Sequence, residues 1–362
     1  MSKSQGRSAA TLPPTVNLHV VPHCNKQCGY CYAPFEDERK TGSLPFDQAE
    51  RILEQLAANG VRRVTFVGGE PTLHPHLAAM LRCASELGLV TAIVTNGALI
   101  TRAWLDEHGP HLRWLTLSVD SVQPAIARSL GRHPKGSGPP HLAQVLEVAT
   151  LVHEFNRVRP DTRRLRLKMN ITVTASNADE DPRLFVRACA PERVKVLQML
   201  LVAGENDRAV ELVCPPDKFA AYAARVRELE RVGVDVVIED AETMDGSYAM
   251  VDPRGRFFQR VESRYARSAP IHEVGVLSAW AEVGGFDSKL FEQRGGFYEP
   301  GEIARGNRPY WIAIEGLDGS GKSTLATALA QHLGATLVTN PSKAMADGRR
   351  SADESPVRRR AN

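Results

Sequence analysis

Three cysteines within eight residues, Cys24, Cys28 and Cys31, stand directly after a strand-like run, VNLHVV (16–21), in the segment HCNKQCGYCY. Three thiols on one short loop restrict the chain to a fold that can expose such a loop at the end of a strand and keep it rigid. Two metal chemistries compete for the spacing C-x-x-x-C-x-x-C. Zinc needs a fourth ligand to close its tetrahedron; His19 or His23 is within reach in sequence, but no second cysteine pair follows. A cubane iron–sulfur cluster accepts three thiolates and leaves one iron without a protein ligand. The other cysteines, Cys83, Cys189 and Cys214, are scattered and read as small apolar or incidental thiols. A disulfide scaffold does not suit a chain of this length and spacing.

Beyond the cysteines, strand-like and helix-like patterns alternate. RVTFVG (63–68), TAIVTN (91–96), WLTLSVD (114–120), RLKMNITV (166–173) and RVKVLQML (193–200) are β-branched and nearly continuously apolar. Amphipathic stretches such as FDQAERILEQLAA, HLAAMLRCASEL and HLAQVLEVATLVHEF separate them. This is the signature of parallel strands covered by helices, and six such units predict an α/β partial (β/α)6 barrel. A seventh run, VDVVIED, leads into a glycine-rich extension expected to cover the open side. Active sites of such folds form at the carboxyl ends of the strands. With 43% apolar residues the chain can build a large core; a net charge of +3 and 6% aromatic residues argue against a nucleic-acid-binding surface. No apolar run reaches the length of a membrane span and no secretory leader is apparent, which predicts a cytoplasmic protein without membrane attachment.

Further motifs fall at successive strand ends: VGGEP (Val67–Pro71), TNG (Thr95–Gly97), SVD (Ser118–Asp120) and, later, LGRH around Arg132. With the cysteine spacing and Tyr30 beside Cys31, they make the chain resemble the radical S-adenosylmethionine (SAM) superfamily. The resemblance implies a 4Fe–4S cluster on Cys24, Cys28 and Cys31 and SAM as cofactor. In that reading Tyr30, Gly68, Gly69, Glu70, Asn96, Ser118 and Arg132 form the SAM site. Glu70 and the glycine carbonyls are expected on the ammonium, Asn96 on the ribose, Ser118 on the methionyl group or adenosine, and Arg132 on the carboxylate.

Side chains alternate along a strand, so Lys168 and Asn170 share one face, as do Arg193 and Lys195. Cations buried together are costly without a counterion, and a polyanionic ligand would resolve that cost; otherwise these are strand ends facing solvent. Here the likeness narrows. VNLHVVPHCNKQCGYCY, KMN, RVKVLQMLLVAGEN, GSY and FDSKLFEQRGGFY resemble the viperin family of nucleotide dehydratases over about Val16–Gly306. The resemblance implies conversion of a ribonucleoside triphosphate, CTP before UTP or GTP, to its 3′-deoxy-3′,4′-didehydro form, a chain terminator in antiviral (anti-phage) defence. It implies Arg63, Lys168, Asn170, Arg193, Lys195 and Arg294 as substrate ligands, Tyr248 and Lys168 as catalytic groups, and a flavodoxin- or ferredoxin-like electron donor. Val67 and Arg63 stand where animal viperins carry serine and lysine.

The expected division is a flexible lead-in (1–14), the radical SAM domain (15–306), a P-loop segment (307–340) and a disordered basic tail (341–362). In the P-loop segment, IEGLDGSGKST carries Gly316, Gly321, Lys322 and Ser323 in the phosphate-cradling spacing. It resembles thymidylate kinase-type enzymes, and the length that follows predicts a truncated, inert fusion. Two other functions fit the sequence less well: radical SAM modification of a peptide or another small molecule, and a zinc-stabilised nucleotide-binding protein.

Overall fold

The computed structural model describes residues 7–8, 11–133, 140–261 and 263–298. In it the alternating pattern becomes one parallel sheet with helices packed on it. The strands are β1 (Arg7–Ser8), β2 (Thr15–His19), β3 (Arg63–Val67), β4 (Val90–Thr95), β5 (Trp114–Ser118) and β6 (Arg166–Val173). They continue with β7 (Arg193–Gln198), β8 (Asp235–Glu239), β9 (Met250–Val251), β10 (Arg256–Val261), β11 (Arg264–Pro270) and β12 (Phe286–Asp287). From β2 to β8 each strand pairs in parallel with the next in sequence. That order is the partial barrel expected from the sequence. Beyond β2 the sheet is extended by β9, also parallel, and then by the antiparallel β10 and β11, so β8 and β11 are its edges.

Arg7–Ser8, within the lead-in read as flexible, pairs antiparallel with Phe286–Asp287. The P-loop residues Gly316, Gly321, Lys322 and Ser323, and the expected segments 307–340 and 341–362, lie outside the described residues.

The two faces of the sheet differ sharply. Val16, Leu18, Val64, Phe66, Leu115, Leu117, Met169 and Val196 belong to one buried apolar cluster. Helix Phe46–Ala58 adds Ala49, Ile52, Leu53 and Leu56, spaced at one helical face, to the same cluster. The alternate positions are polar: Asn17, Thr65, Thr116, Lys168, Asn170 and Lys195 line a cavity of about 950 Å³. The core therefore lies between sheet and helices, and the inside of the barrel is kept open for chemistry.

Register at β6 is fixed from outside the sheet. Asn156, the last residue of helix His141–Asn156, donates from Nδ2 to the Leu165 carbonyl at 2.8 Å and accepts the Leu165 N–H at 2.9 Å. This pair holds the backbone immediately before the strand that carries Lys168 and Asn170. Asn156→Ala leaves two buried backbone groups unpaired and should cost about 2 kcal/mol in chemical denaturation. A loss under about 0.5 kcal/mol would show that the helix does not anchor β6.

Candidate active site

The upper rim of the cavity is built where loops from successive strand ends touch through backbone. Gly69 donates its N–H to the Val21 carbonyl at 2.6 Å and Glu70 donates to His23 at 2.8 Å. A Cβ on Gly69 would overlap the His23 carbonyl, so only glycine lets the VGGE turn lie against the cysteine loop. On the other side Gln27 donates to the Gly131 carbonyl at 3.2 Å and Gly29 to Leu130 at 3.3 Å. Gly131 has φ +80°, and a Cβ there would overlap the Gln27 carbonyl. The three thiols are thus gripped by two glycine contacts, one from each side.

Two residues expected on the cofactor form cross-ties. Glu70, almost fully buried, accepts at Oε1 from the Thr72 N–H (3.1 Å), the Thr72 hydroxyl (2.7 Å) and the Thr95 hydroxyl (2.7 Å). Its Oε2 accepts from the Asn96 N–H at 2.8 Å. Burial pushes its pKa up, and these four bonds favour the ionised form. Asn96 donates from Nδ2 to Asn25 Oδ1 at 2.7 Å and accepts the Ala98 N–H at 2.9 Å. Carboxylate and amide together fix the strand ends to the cysteine loop. The polar atoms that Gly68 and Gly69 present to the cavity are backbone groups.

Arg132 is likewise engaged. It forms an ion pair with buried Asp120 and donates from Nε to the Tyr30 hydroxyl at 3.0 Å, while that hydroxyl donates to Asp120. Asp120 also accepts the Thr172 N–H at 2.7 Å, so one carboxylate ties together β5, β6, Tyr30 and Arg132. Ser118 sits on the cavity wall at the end of β5, and its carbonyl accepts from His141 Nε2 at 3.0 Å. Among the described residues Lys26, 4% exposed and on the cavity wall, is a cation at this rim without a hydrogen-bond partner.

The lower wall is a cluster of charge. Lys195 pairs with Glu239, which also accepts from the Tyr248 hydroxyl and faces Arg294 Nη1 at 3.4 Å. Lys195 Nζ lies 3.4 Å from the same Tyr248 hydroxyl. Burial alone would raise the pKa of Glu239; Lys195 and Arg294 outweigh it and hold the carboxyl at about 2. Burial first, then Arg193, pulls Lys168 down to about 7. Lys195 is also drawn to about 7, by burial and, against the pull of Glu239, by Lys168 and Arg294. Asn170 leaves a buried Oδ1 without a partner. Arg63 lines the cavity from the start of β3.

Arg193 does not belong to this wall. It is 3% exposed, paired with Asp235 at 2.9 Å, and covered by the ring of Tyr298 at 3.8 Å. The structure thus brings every other predicted residue among those described to one cavity. Lys26 and Tyr298 line it too, while Asp120, Gly131 and Glu239 touch residues that do; sequence reasoning assigned none of the five a role. SVD, VDVVIED and RGGFY contained three of them, so the signal was an acid or a tyrosine inside a motif already noticed.

The donor set fits a cubane and SAM. Burial pushes all three cysteine thiols up, Cys31 to about 12, so a strongly positive centre is needed to draw out the thiolates. Among the described residues no three His, Cys, Asp or Glu side chains converge as they would on a single metal ion, and a cubane takes its thiolates at separate corners. An orphaned buried ammonium, Lys26, stands ready for an anionic end of the cofactor.

The Radical SAM superfamily model matches residues 18–158. The S-adenosylmethionine-dependent nucleotide dehydratase of Flammeovirga pacifica is 36% identical over 297 residues, covering 81% of this chain and 98% of that protein. The S-adenosylmethionine-dependent nucleotide dehydratase RSAD2 of Danio rerio is 31% identical over 307 residues, covering 82% and 80%. Among solved structures, Streptococcus suis SuiB bound to S-adenosylmethionine is 16% identical with a TM-score of 0.56, covering 79% of this chain and 68% of that one. Native anSMEcpe with bound AdoMet is 14% identical with a TM-score of 0.55, covering 78% and 84%. At such identities the solved structures speak to the fold alone.

Because the cysteine loop is seated by backbone contact, Gly131→Ala should lower the iron and sulfide retained after anaerobic reconstitution at least severalfold. Full retention with an unchanged melting temperature would contradict the close approach at Gln27.

Proposed function

The chain belongs to the viperin family of S-adenosylmethionine-dependent nucleotide dehydratases, a group of radical SAM enzymes that use a 4Fe–4S cluster, and on that footing we propose that it converts a ribonucleoside triphosphate, CTP first, to its 3′-deoxy-3′,4′-didehydro form. One observation carries this reading. The cavity that begins at the cysteine loop descends to the buried cations Lys168, Lys195 and Arg294, and among the described residues Glu239 is the buried carboxylate paired with Lys195 and Arg294. Such an excess of buried positive charge demands an anion. A triphosphate supplies one, and its ribose would then stand between the cations and the rim.

When bound, the cluster and SAM supply a 5′-deoxyadenosyl radical, which takes hydrogen from an unactivated carbon. Cys24, Cys28 and Cys31 would hold the cluster. The backbone at Gly68 and Gly69, the Ser118 hydroxyl and the Lys26 ammonium would hold SAM, with Tyr30 and Arg132 fixing the wall through Asp120. Lys168, Lys195, Arg63 and Arg294 would bind phosphate, and Asn170 would offer its unpaired Oδ1 to a ribose hydroxyl. Loss of the 3′ hydroxyl as water needs a proton. Tyr248 and Lys168 are the proton-bearing groups we assign to that end of the ribose, and Glu239 orients Tyr248.

A product without a 3′ hydroxyl stops any polymerase that incorporates it, so we read the role as antiviral, against phage in a cell. UTP and GTP are the alternative substrates. The P-loop motif Gly316–Ser323, similar to thymidylate kinase-type enzymes, favours a pyrimidine by association. We assign electron delivery to a flavodoxin- or ferredoxin-like protein. Among the described residues no helix is long and apolar enough to cross a membrane.

Reconstituted enzyme given SAM, reductant and each nucleoside triphosphate should release 5′-deoxyadenosine and a nucleotide lighter by one water, read by mass spectrometry, with CTP above the others. If no nucleotide raises 5′-deoxyadenosine, the dehydratase reading fails.

The depressed lysines set a pH dependence. A bound polyanion favours protonated Lys168 and Lys195, whose pKa in the free protein is about 7. Between pH 7 and 9 triphosphate affinity should therefore fall as pH rises, by up to about tenfold per unit for each lysine. Lys195→Ala should keep the cluster, weaken binding and halve that slope in equilibrium titrations. An affinity independent of pH would remove both lysines from the phosphate site.

A further inference from the structure

We propose that Asn206 is a positioning residue that ties the cysteine loop to the strand carrying Lys195, and so keeps the rim of the cavity in register with the bound nucleotide; the inference rests on the nucleotide reading above. β7 ends at Gln198, whose side chain donates from Nε2 to the Cys214 carbonyl and accepts the Ala241 N–H at Oε1, each at 3.1 Å. The chain therefore leaves the strand from a point held on both sides. It then runs along the rim to Asn206, which is 5% exposed and on the cavity wall. Asn206 accepts the Val202 N–H at Oδ1 (2.7 Å) and donates from Nδ2 to the carbonyls of Leu200 (2.9 Å) and Tyr30 (3.3 Å).

Only an amide suits these partners. Its oxygen takes the one donor and its two N–H groups serve the two carbonyls, which a carboxylate of the same shape cannot do. The bond to Tyr30 reaches the residue between Gly29 and Cys31, so Tyr30 is held at both ends: its carbonyl by Asn206, its hydroxyl by Asp120 and Arg132. The short helix Asp207–Leu212 follows at once, and its Ala209 and Leu212 pack with Tyr30, Cys28 and Leu130. The contacts at Gly69 and Gly131 join the cysteine loop to segments that follow β3 and β5. Asn206 joins it to β7, where Lys195 waits for phosphate. A nucleotide gripped at Lys195 has a fixed length, so its ribose meets the rim correctly only if the rim keeps one height above that strand. A misplacement of about 1 Å can cost about a hundredfold in rate.

The test compares anaerobically reconstituted full-length protein with its Asn206→Asp and Asn206→Gln variants. Asn206→Asp keeps the acceptor for Val202 but turns a carboxylate toward two carbonyls. Asn206→Gln keeps every donor and acceptor on a longer arm, and it carries the test if the aspartate protein melts early. Iron and sulfide content and CTP, UTP and GTP affinity should match wild type in the glutamine variant. In both variants the low-temperature EPR spectrum of the reduced protein should differ from wild type once SAM is added, because contacts around the thiolates tune a cluster. With nucleotide present, 5′-deoxyadenosine released per dehydrated nucleotide should rise at least about threefold, since a ribose out of register gives up its hydrogen less often. A wild-type spectrum and a wild-type ratio in both variants would overturn the assignment, whatever happened to the melting temperature. If the wild-type protein dehydrates none of the nucleotides, the substrate reading fails instead, and the spectra still decide whether Asn206 positions the cysteine loop.

Discussion

Positive charge placed inside a low-dielectric barrel is the constraint on which this molecule turns. Lys168, Lys195 and Arg294 are each buried to within a few per cent, and Glu239 is the carboxylate that two of them touch. The parallel sheet makes the arrangement possible. Alternation puts apolar side chains on the helix-covered face and frees the inner positions of β6 and β7 for polar groups. An interior filled with branched apolar residues would be more stable and would have no site. Here stability is drawn from the outer layer, and the inner layer is left dependent on a ligand.

The two ends of the cavity are built by different physics, which suits their tasks. At the rim, backbone touches backbone through Gly69 and Gly131, and Glu70 and Asp120 each bind several donors. Such contacts are stiff and electrically quiet, as a site that must hold an inorganic cofactor requires. At the lower wall, long cationic side chains converge through strong, nearly uncompensated electrostatics. They adapt to a substrate that comes and goes. One cavity joins these halves, so a ligand anchored by charge below presents its middle to chemistry above.

Much of this was legible in the chain. The strand and helix order, the three cysteines, the strand-end motifs and the cations of β6 and β7 all follow from spacing and period. Period two gives a face but not the depth along it, and Arg193 meets a partner, Asp235, that lies 42 positions further on, in β8. Glu70 and Asn96 bond to neighbouring loops, contacts that a motif alone does not disclose. Gly131 is an ordinary glycine in sequence, and only the fold shows the Gln27 carbonyl pressed against it. Tyr298 and Glu239 matter through partners far away in the chain, which no local pattern encodes.

The number of acids in the lower wall follows from the same electrostatics. Removing Glu239 would leave Lys195 and Arg294 without their carboxylate, and breaking a buried pair in this way typically costs about 3–5 kcal/mol. A second carboxylate would offset the remaining charge and stabilise the empty protein, but it would occupy the electrostatic role of the substrate and repel it. One carboxylate is the compromise. It keeps Lys195 and Arg294 ordered, holds the Tyr248 hydroxyl in place, and leaves Lys168 to a ligand. The depressed pKa of Lys168 is the physical sign of that unfinished balance: a charge the fold has brought inside and does not itself neutralise.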